Sequence, residues 1–409
     1  MSTSSDAPES LTRARIAASA LFAANALTLS AWLPRLAEVQ QNLGLSDVEI
    51  GAALSAGAFG GLLAGVWAGP LINRSSSRTV AIVSLIVMAP VLPFLGFAGD
   101  FAFVALALFV IGALDAVMDA AMNAHSLRIQ HLSSRSILNG FHGFWSLGTV
   151  LGGVIGVASA ALGLSLGWTL TIVAVLVLLI GLLPSRWLLP GADPHSYTDE
   201  PDMDDRDIDG LAAADPASLS MPTSRVVLRP IIWGLGAFII LAVMIEDIPA
   251  RWGSIYLSDI GTPAAMTGWG FVAFTTAMTI GRFTGDRIID AIGELRWVRI
   301  SMATTAVVLG AGLLIATPWA FIVAAAVTGF GVATLFPAAI RAAAHLPGVR
   351  PAVSISMVSW LSRAGFVVAP LAVGAIAEGF GVAWGLALTV VAALMLVPLS
   401  AVLRSGRSR

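Results

Sequence analysis

The run Gly112-Ala-Leu-Asp115-Ala-Val-Met118-Asp119-Ala-Ala-Met122-Asn123 decides how this chain is read, because it sets two carboxylates inside a stretch otherwise apolar enough to span a bilayer. Four residues apart, Asp115 and Asp119 project from one helical face, with Met118 and Met122 beside them and Asn123 one turn beyond. A charged side chain at the bilayer centre costs roughly 2.5–3.5 kcal/mol on insertion scales, so both acids must face protein or water.

The rest of the composition agrees with a membrane setting. Hydrophobic residues make up 57% of the chain and charged residues only 11%, with a mean hydropathy of +0.89, against about 25% charged residues in soluble domains. This is a polytopic membrane protein whose surroundings are the lipid bilayer. The absence of cysteine excludes disulfides, thiolate metal sites and Cys nucleophiles. No G-x-x-x-x-G-K-[ST], H-E-x-x-H or G-x-S-x-G motif and no metal-ligand cluster occurs, so the reading is of a non-enzyme with no cofactor, no metal and no nucleic-acid partner. The first apolar run, from about Ile16, is too long for a cleavable signal and is followed by many more.

Stretches of about 20 apolar residues recur roughly twelve times. They are expected near 14–37, 49–72, 79–98, 101–127, 137–160 and 165–187, then near 230–257, 264–289, 298–316, 319–343, 352–377 and 382–403. All 22 basic residues are arginine, and basic residues are retained on the cytoplasmic side. Placing both termini and every even-numbered loop inside leaves only Arg35, Arg251 and Arg363 elsewhere, whereas the opposite loops hold acids such as Asp47, Asp100, Asp259 and Glu378. An odd number of spans would scramble that asymmetry. Both ends are therefore expected in the cytoplasm.

Between the sixth and seventh spans, residues 188–228 are polar and acidic, with Asp199, Asp202, Asp204, Asp205, Asp207 and Asp209 in close succession. They read as a solvated linker between an N-terminal bundle, 1–187, and a C-terminal bundle, 229–409. A calcium loop is the competing reading, but no twelve-residue loop with the required glycine and terminal Glu is present. A shared offset of 217 positions relates Asn73 to Asp290, Gly112 to Gly329 and Gly148 to Gly365. Such a repeat predicts two facing six-helix bundles, with a solute path between them near the midplane and alternating access by rocking about it.

This layout resembles the major facilitator superfamily across essentially the whole chain. The family signature G-x-L-x-D-R-x-G-R-K corresponds to Gly69-Pro-Leu71-Ile-Asn73-Arg74-Ser-Ser76-Ser-Arg78, with Asn73 in place of the acid and Ser76 in place of the glycine. Its second-half copy is Gly281-Arg282-Phe-Thr-Gly285-Asp286-Arg287-Ile-Ile-Asp290-Ala-Ile-Gly293. The resemblance implies that Asn73, Arg74, Asp286, Arg287 and Asp290 latch the two bundles on the cytoplasmic side. Trp32-Leu-Pro34-Arg35, Asp119-Ala-Ala-Met122-Asn123-Ala and Gly140-Phe141-His142-Gly-Phe-Trp145-Ser146-Leu-Gly148 are similar to the MosC-like bacterial branch. That branch implies transport of a small polar solute, such as an inositol-like amino sugar.

By span number, the fourth, fifth, seventh and eleventh helices are expected to flank the path. Candidate substrate contacts are Asn25, Asp115, Asn123, His142, Trp145, Glu246, Trp360 and Arg363; candidate proton carriers are Asp115, Asp119, Glu246 and Asp247. Burial disfavours an ionised carboxylate and a nearby arginine favours it, so an acid that changes both surroundings during rocking loads and releases a proton. Duller readings compete. The acids could be satisfied structurally within helix contacts, His142 reads more readily as a packing residue, and Trp32 and Trp252 read as interface-belt tryptophans. Consecutive positions make it expected that only one of Glu246 and Asp247 faces the path, and Glu246 is preferred. Phe141 and Met118 read as packing.

The expected function is proton-coupled secondary active transport of a small polar or amphiphilic solute (sugar, polyol or amino-sugar-like) by a monomer in a bacterial cytoplasmic membrane. With acids outnumbering the single expected path arginine, a neutral or cationic solute is favoured. Drug or metabolite efflux by proton antiport is the alternative, distinguished by a greasier cavity. A non-transporting membrane sensor on the same fold is a third reading, and it would need an ordered signalling domain.

Overall fold

The computed structural model describes residues 6–133, 137–193, 230–346 and 351–406. The acidic run from Asp199 to Asp209 and the arginines at 135, 206, 225, 229, 350, 407 and 409 lie outside the described residues.

Among the described residues the chain is helical. In the first half, α1 (Asp6–Ser30) leads through a short 3-10 turn, Leu33–Arg35, into α2 (Leu36–Leu43). There follow α3 (Asp47–Arg74), α4 (Ser77–Met88), α5 (Val91–Gly96), α6 (Phe101–His131), α7 (Leu138–Ala161) and α8 (Leu166–Leu182). The second half comprises α9 (Pro230–Asp259), α10 (Ala264–Thr267), α11 (Trp269–Ile292), α12 (Glu294–Ile315), α13 (Pro318–Val332), α14 (Leu335–Ala344), α15 (Pro351–Phe380) and α16 (Val382–Leu399).

Eleven helical segments among the described residues are long and apolar enough to cross a membrane. The eighth expected span, 264–289, is occupied by α10 and α11 but is not one of the eleven. Helix α11 carries Arg282, Asp286, Arg287 and Asp290 within its last eleven residues, which makes that half of the helix polar. Besides the first, which breaks after Ser30, and the eighth, which divides at Gly268, the third and tenth expected spans are broken rather than continuous. The third divides into α4 and α5 around Pro90, and the tenth into α13 and α14 just before Pro337, as proline's missing N–H and ring demand.

The two halves pack by the same rule. Helix α3 lies along α6, and α11 along α13; α1 lies along α7, and α9 along α15. A methyl on Gly112 would collide with the carbonyl oxygen of Gly57, and one on Gly329 with that of Phe274. Gly148 faces Ala23, and Gly365 faces Val243 and the backbone of Ile240. The contact partners, 57 with 274 and 23 with 240, keep the 217-residue offset, so the repeat seen in the glycines is also a repeat of helix contacts. Small residues at these crossings let backbones meet, which drives helix association where lipid is as apolar as leucine.

Contacts between the halves cluster at one end of the molecule. There Gln41 Nε2 donates to Ser258 Oγ at 2.6 Å, Val48 N–H to Glu378 Oε2 at 3.3 Å, and Ser55 Oγ to the Val367 carbonyl at 2.8 Å. Gly51 and Gly374 bring the N-terminal end of α3 against α15. At the opposite end Asn73, Arg74, Asp286, Arg287 and Asp290 are all exposed. No hydrogen bond or ion pair joins those five residues across the halves among the described residues. Hydrogen bonds thus join the halves at the Gln41–Ser258 end, and none is made by these five residues at the Asn73–Asp290 end.

The three arginines that fall outside the inside-positive pattern are a structural tie, Arg35, and two cavity residues, Arg251 and Arg363. Arg35 is 4% exposed: its Nη1 donates to Ser159 Oγ at 3.2 Å and Thr169 Oγ1 at 2.8 Å, and its Nη2 to the Leu164 carbonyl at 2.8 Å, while Nε binds Glu38 at 2.7 Å. Five N–H donors in a planar fork make such multi-point binding an arginine task. Arg251 belongs to the site described below.

The glycine crossings and the Arg35 cluster each generate an expectation. Gly112→Val and Gly329→Val should each destabilise the fold by about 2–3 kcal/mol, the upper end of overpacking costs; thermal unfolding in detergent checks this, and an unchanged midpoint for either refutes the close-contact account. Arg35→Leu should cost about 3 kcal/mol by stranding its buried partners, whereas a variant with unaltered melting would show that Arg35 holds nothing together.

Candidate functional site

Between the halves lies a cavity of about 380 Å³ whose wall includes Asp115 and Asp119 from α6 and Arg363 from α15. Arg251 from α9 also reaches it. The remaining wall is mainly apolar: Leu54 and Gly57 of α3, Leu108 and Ile111 of α6, Phe336 of α14 and Phe366 of α15. Ser359 and Ser362 add two hydroxyls. Both acids reach one cavity because a four-residue spacing stacks them on one face of α6. Glycines 57, 61 and 112 thin the wall beside them.

Asp115 is held from behind. Asn25 on α1 donates through Nδ2 to Asp115 Oδ1 at 2.7 Å, and its own Oδ1 accepts from Trp145 Nε1 of α7 at 2.9 Å. A tryptophan indole only donates, so this bond fixes which end of the Asn25 amide faces the acid. The charges of Arg363 and Arg251 act on Asp115 from the other half. Asp119 receives Asn123 Nδ2 at 3.2 Å, and the same nitrogen lies 3.0 Å from the Asp119 carbonyl. Asn123 is itself buried, with Oδ1 lacking a hydrogen-bond partner.

Glu246 and Asp247 diverge, as successive residues on a helix must, about 100° apart. Neither lines the cavity. Asp247 pairs with Arg251 one turn along α9. Glu246 Oε1 lies 3.8 Å from Arg282 Nη2 of α11, and Arg282 Nη1 donates to Ser146 Oγ of α7 at 3.2 Å. The Arg282 guanidinium also sits 5.9 Å from the centre of the Trp145 ring. A second acid–arginine pair thus stands on the α7–α11 side of the cavity.

Several expected positions fall elsewhere. His142 packs edge-on against Phe22, with ring centres 5.3 Å apart, and does not line the cavity; neither does Trp360. The wall comes from spans one, two, four, seven, ten and eleven, and span five stands behind it, acting through Trp145. Trp32 and Trp252 are 3% and 0% exposed, so they are interior residues and not an interface belt; each indole N–H is buried without a partner. Phe141, stacked on Phe22 at 5.7 Å, and Met118 are packing residues as expected. The count of one path arginine is corrected to two, since Arg251 joins Arg363.

Arg251 and Arg282 are the candidate site residues least visible in the sequence. The signal for Arg251 was its four-residue spacing from Asp247. Arg282 sits ten residues before the end of α11, about 15 Å of helix, so counting it with the loop arginines hid its depth. A further cluster also emerges at the start of the expected linker. Asp193 accepts from Ser77 N–H at 2.5 Å and Oγ at 2.7 Å, His125 Nδ1 lies 3.0 Å from Ser77 Oγ, and His125 Nε2 accepts from Leu189 N–H at 3.2 Å. Residues 188–193 are thereby tied to α4 and α6.

Comparison with known proteins agrees with this architecture. The chain matches the family profile of the Major Facilitator Superfamily over residues 16–251 and 248–408. It is 27% identical over 356 residues to an uncharacterised MFS-type transporter of Yersinia pestis, covering 86% of each chain. It is also 27% identical over 362 residues to membrane protein MosC of Rhizobium meliloti, covering 88% of this chain and 83% of that one. In fold it is similar to the nucleoside transporter NupG, with a TM-score of 0.69 at 14% identity over 95% of this chain and 97% of that one. A bacterial homologue of the human lysosomal transporter Spinster, in an inward-facing and occupied conformation, gives a TM-score of 0.68 at 14% identity over 96% of each chain. At such identity the two structures speak to fold alone. With most of its length matched by the family profile and by full-length relatives, the chain belongs to the Major Facilitator Superfamily, as a multi-pass membrane transporter of small-molecule solutes.

Proposed function

We propose that this protein is a proton-coupled secondary active transporter that moves a small amphiphilic solute by alternating access. The observation that carries the reading is the placement of Asp115 in a cavity between the halves, with Arg363 and Arg251 opposite and Asn25 behind it. A carboxylate there trades surroundings when the halves rock, which is the physical requirement for loading a proton on one side and releasing it on the other. Asp119, on the same wall, is the second candidate carrier. The protein sits as a monomer in a bacterial cytoplasmic membrane with both termini inside, and the Asn73–Asp290 end faces the cytoplasm, so the hydrogen-bonded Gln41–Ser258 end faces outward.

The wall chemistry bears on the cargo. Two acids and two arginines give it no net formal charge when all are ionised, so the earlier preference for a cationic solute loses its basis. Aliphatic and Phe side chains dominate the rest. A solute with one polar or charged end and one apolar face fits this wall, and an inositol-like amino sugar fits only its polar part. That apolar majority favours export of a drug-like or metabolic amphiphile by proton antiport as the second reading.

Proteoliposomes decide among these. Amino sugars, polyols and amphiphilic amines are added outside while internal and external pH are followed. Solute entry that alkalinises the outside identifies symport, and entry that acidifies it identifies antiport. Asp115→Asn should abolish the proton movement while leaving solute binding; solute flux without protons, or an Asp115→Asn protein that still moves them, overturns the proposal. Asn25→Leu removes a hydrogen bond to a charged group, a loss of about 1.5 kcal/mol. The half-saturating solute concentration should therefore rise about tenfold, and an unshifted value would show that Asn25 does not orient Asp115.

A further inference from the structure

We propose that Arg282 is the positioning residue that ties the protonation of Glu246 to the rocking of the halves, by passing its guanidinium between Glu246 in its own half and the Trp145–Ser146 pair in the other. This deepens the transport reading and rests on it for its purpose, though not for its test.

The geometry is that of a shared group. Arg282 stands 3.8 Å from Glu246, long for an ion pair, and 3.2 Å from Ser146 Oγ, with the Trp145 ring centre at 5.9 Å. That last distance is near the outer limit of about 6 Å for a cation–π contact. The guanidinium is thus fully engaged by neither side. Two of its contacts cross between the halves and one does not, so any rocking at this level must lengthen or shorten the crossing pair.

The surroundings leave Glu246 one charged partner. The charged groups acting on it are Asp247 and Arg251 on its own helix and Arg282 on α11. Asp247 and Arg251 are paired with each other. When Glu246 is ionised, Arg282 is drawn back towards α9. With Glu246 neutral, the Ser146 hydroxyl and the Trp145 face are its remaining partners, and the guanidinium settles on α7. Beside it, α7 and α11 are in close contact, since a methyl on Gly143 would lie 3.1 Å from the Phe283 ring. A small shift of Arg282 therefore acts on a packed seam and not on open space.

The natural absence of cysteine makes a direct test simple. Spin labels are placed at Ser75→Cys and Ala291→Cys, both exposed and on opposite halves at the Asn73–Asp290 end. Their separation is measured by pulsed electron paramagnetic resonance in lipid nanodiscs from pH 5 to pH 9, with no solute present. The parent distance distribution should change with pH. Glu246→Gln should shrink the parent's pH-dependent shift at least twofold, with its distribution displaced towards the parent's low-pH one, Arg282→Gln should shrink it as much, and Arg282→Lys, which keeps the charge, should retain more of it. Ser146→Ala, the mildest change, should shrink the shift at least twofold and serves where Arg282→Gln does not fold. A parent without pH dependence, or full parental shifts in Glu246→Gln, Arg282→Gln or Ser146→Ala, overturn the proposal. If the distances titrate through Arg282 while proteoliposomes move solute without protons, the transport coupling fails and the Arg282 link stands. The reverse combination leaves coupling through Asp115 and removes Arg282 from it.

Discussion

A carboxylate at membrane depth has to be compensated, and the hydrogen bond from Asn25 to Asp115 is where this structure meets that constraint. Asn25 is 1% exposed and has two tasks: its amide nitrogen satisfies the acid, while its oxygen is claimed by Trp145. The acid is supported from the back and open to the cavity in front. Full pairing with an arginine of its own half would have fixed its charge in every state. A neutral donor stabilises the ionised form without committing it, and leaves the facing charges, Arg251 and Arg363, on the other half.

Rigid halves are needed for such a division of labour. The glycine crossings provide them: Gly112 on Gly57 and Gly329 on Phe274 bring α3 to α6 and α11 to α13 at backbone contact. In lipid there is no hydrophobic force pulling helices together, so packing of this closeness, with Arg35 tying α2, α7 and α8 through buried hydrogen bonds, keeps each half a unit. Polar contacts between the halves include those at the Gln41–Ser258 end and the Arg282–Ser146 bond.

Much of this was legible from residues. Asp115 and Asp119 announced themselves as acids where lipid forbids them, and the 217-residue offset announced the paired helices before any coordinates. Legibility failed where the answer depends on rotation and depth. Which side of α9 carries Glu246, and how far along α11 Arg282 lies from the loop, are set by helix phase and packing that hydropathy averages away. Trp32 and Trp252 misled for the same reason: an amphipathic ring near a span end suits the membrane interface, but the turn at Leu33–Arg35 folds Trp32 inward and α9 buries Trp252. The broken third and tenth spans, by contrast, had their cause in view as Pro90 and Pro337.

The two acid–arginine systems are joined by a chain that runs from Asp115 through Asn25 and Trp145 to Arg282 and Glu246. Its middle members decide what can pass along it. An amide and an indole hold their N–H protons at any pH the membrane meets, and a guanidinium stays charged, so no proton can hop from one acid to the other by this route. Whatever Asp115 and Glu246 communicate must travel as position: the orientation of the Asn25 amide, the tilt of the Trp145 ring and the placement of one positive charge. On the proposed reading of alternating access, a link that transmits geometry while blocking protons would keep the two acids in register without passing a proton between them.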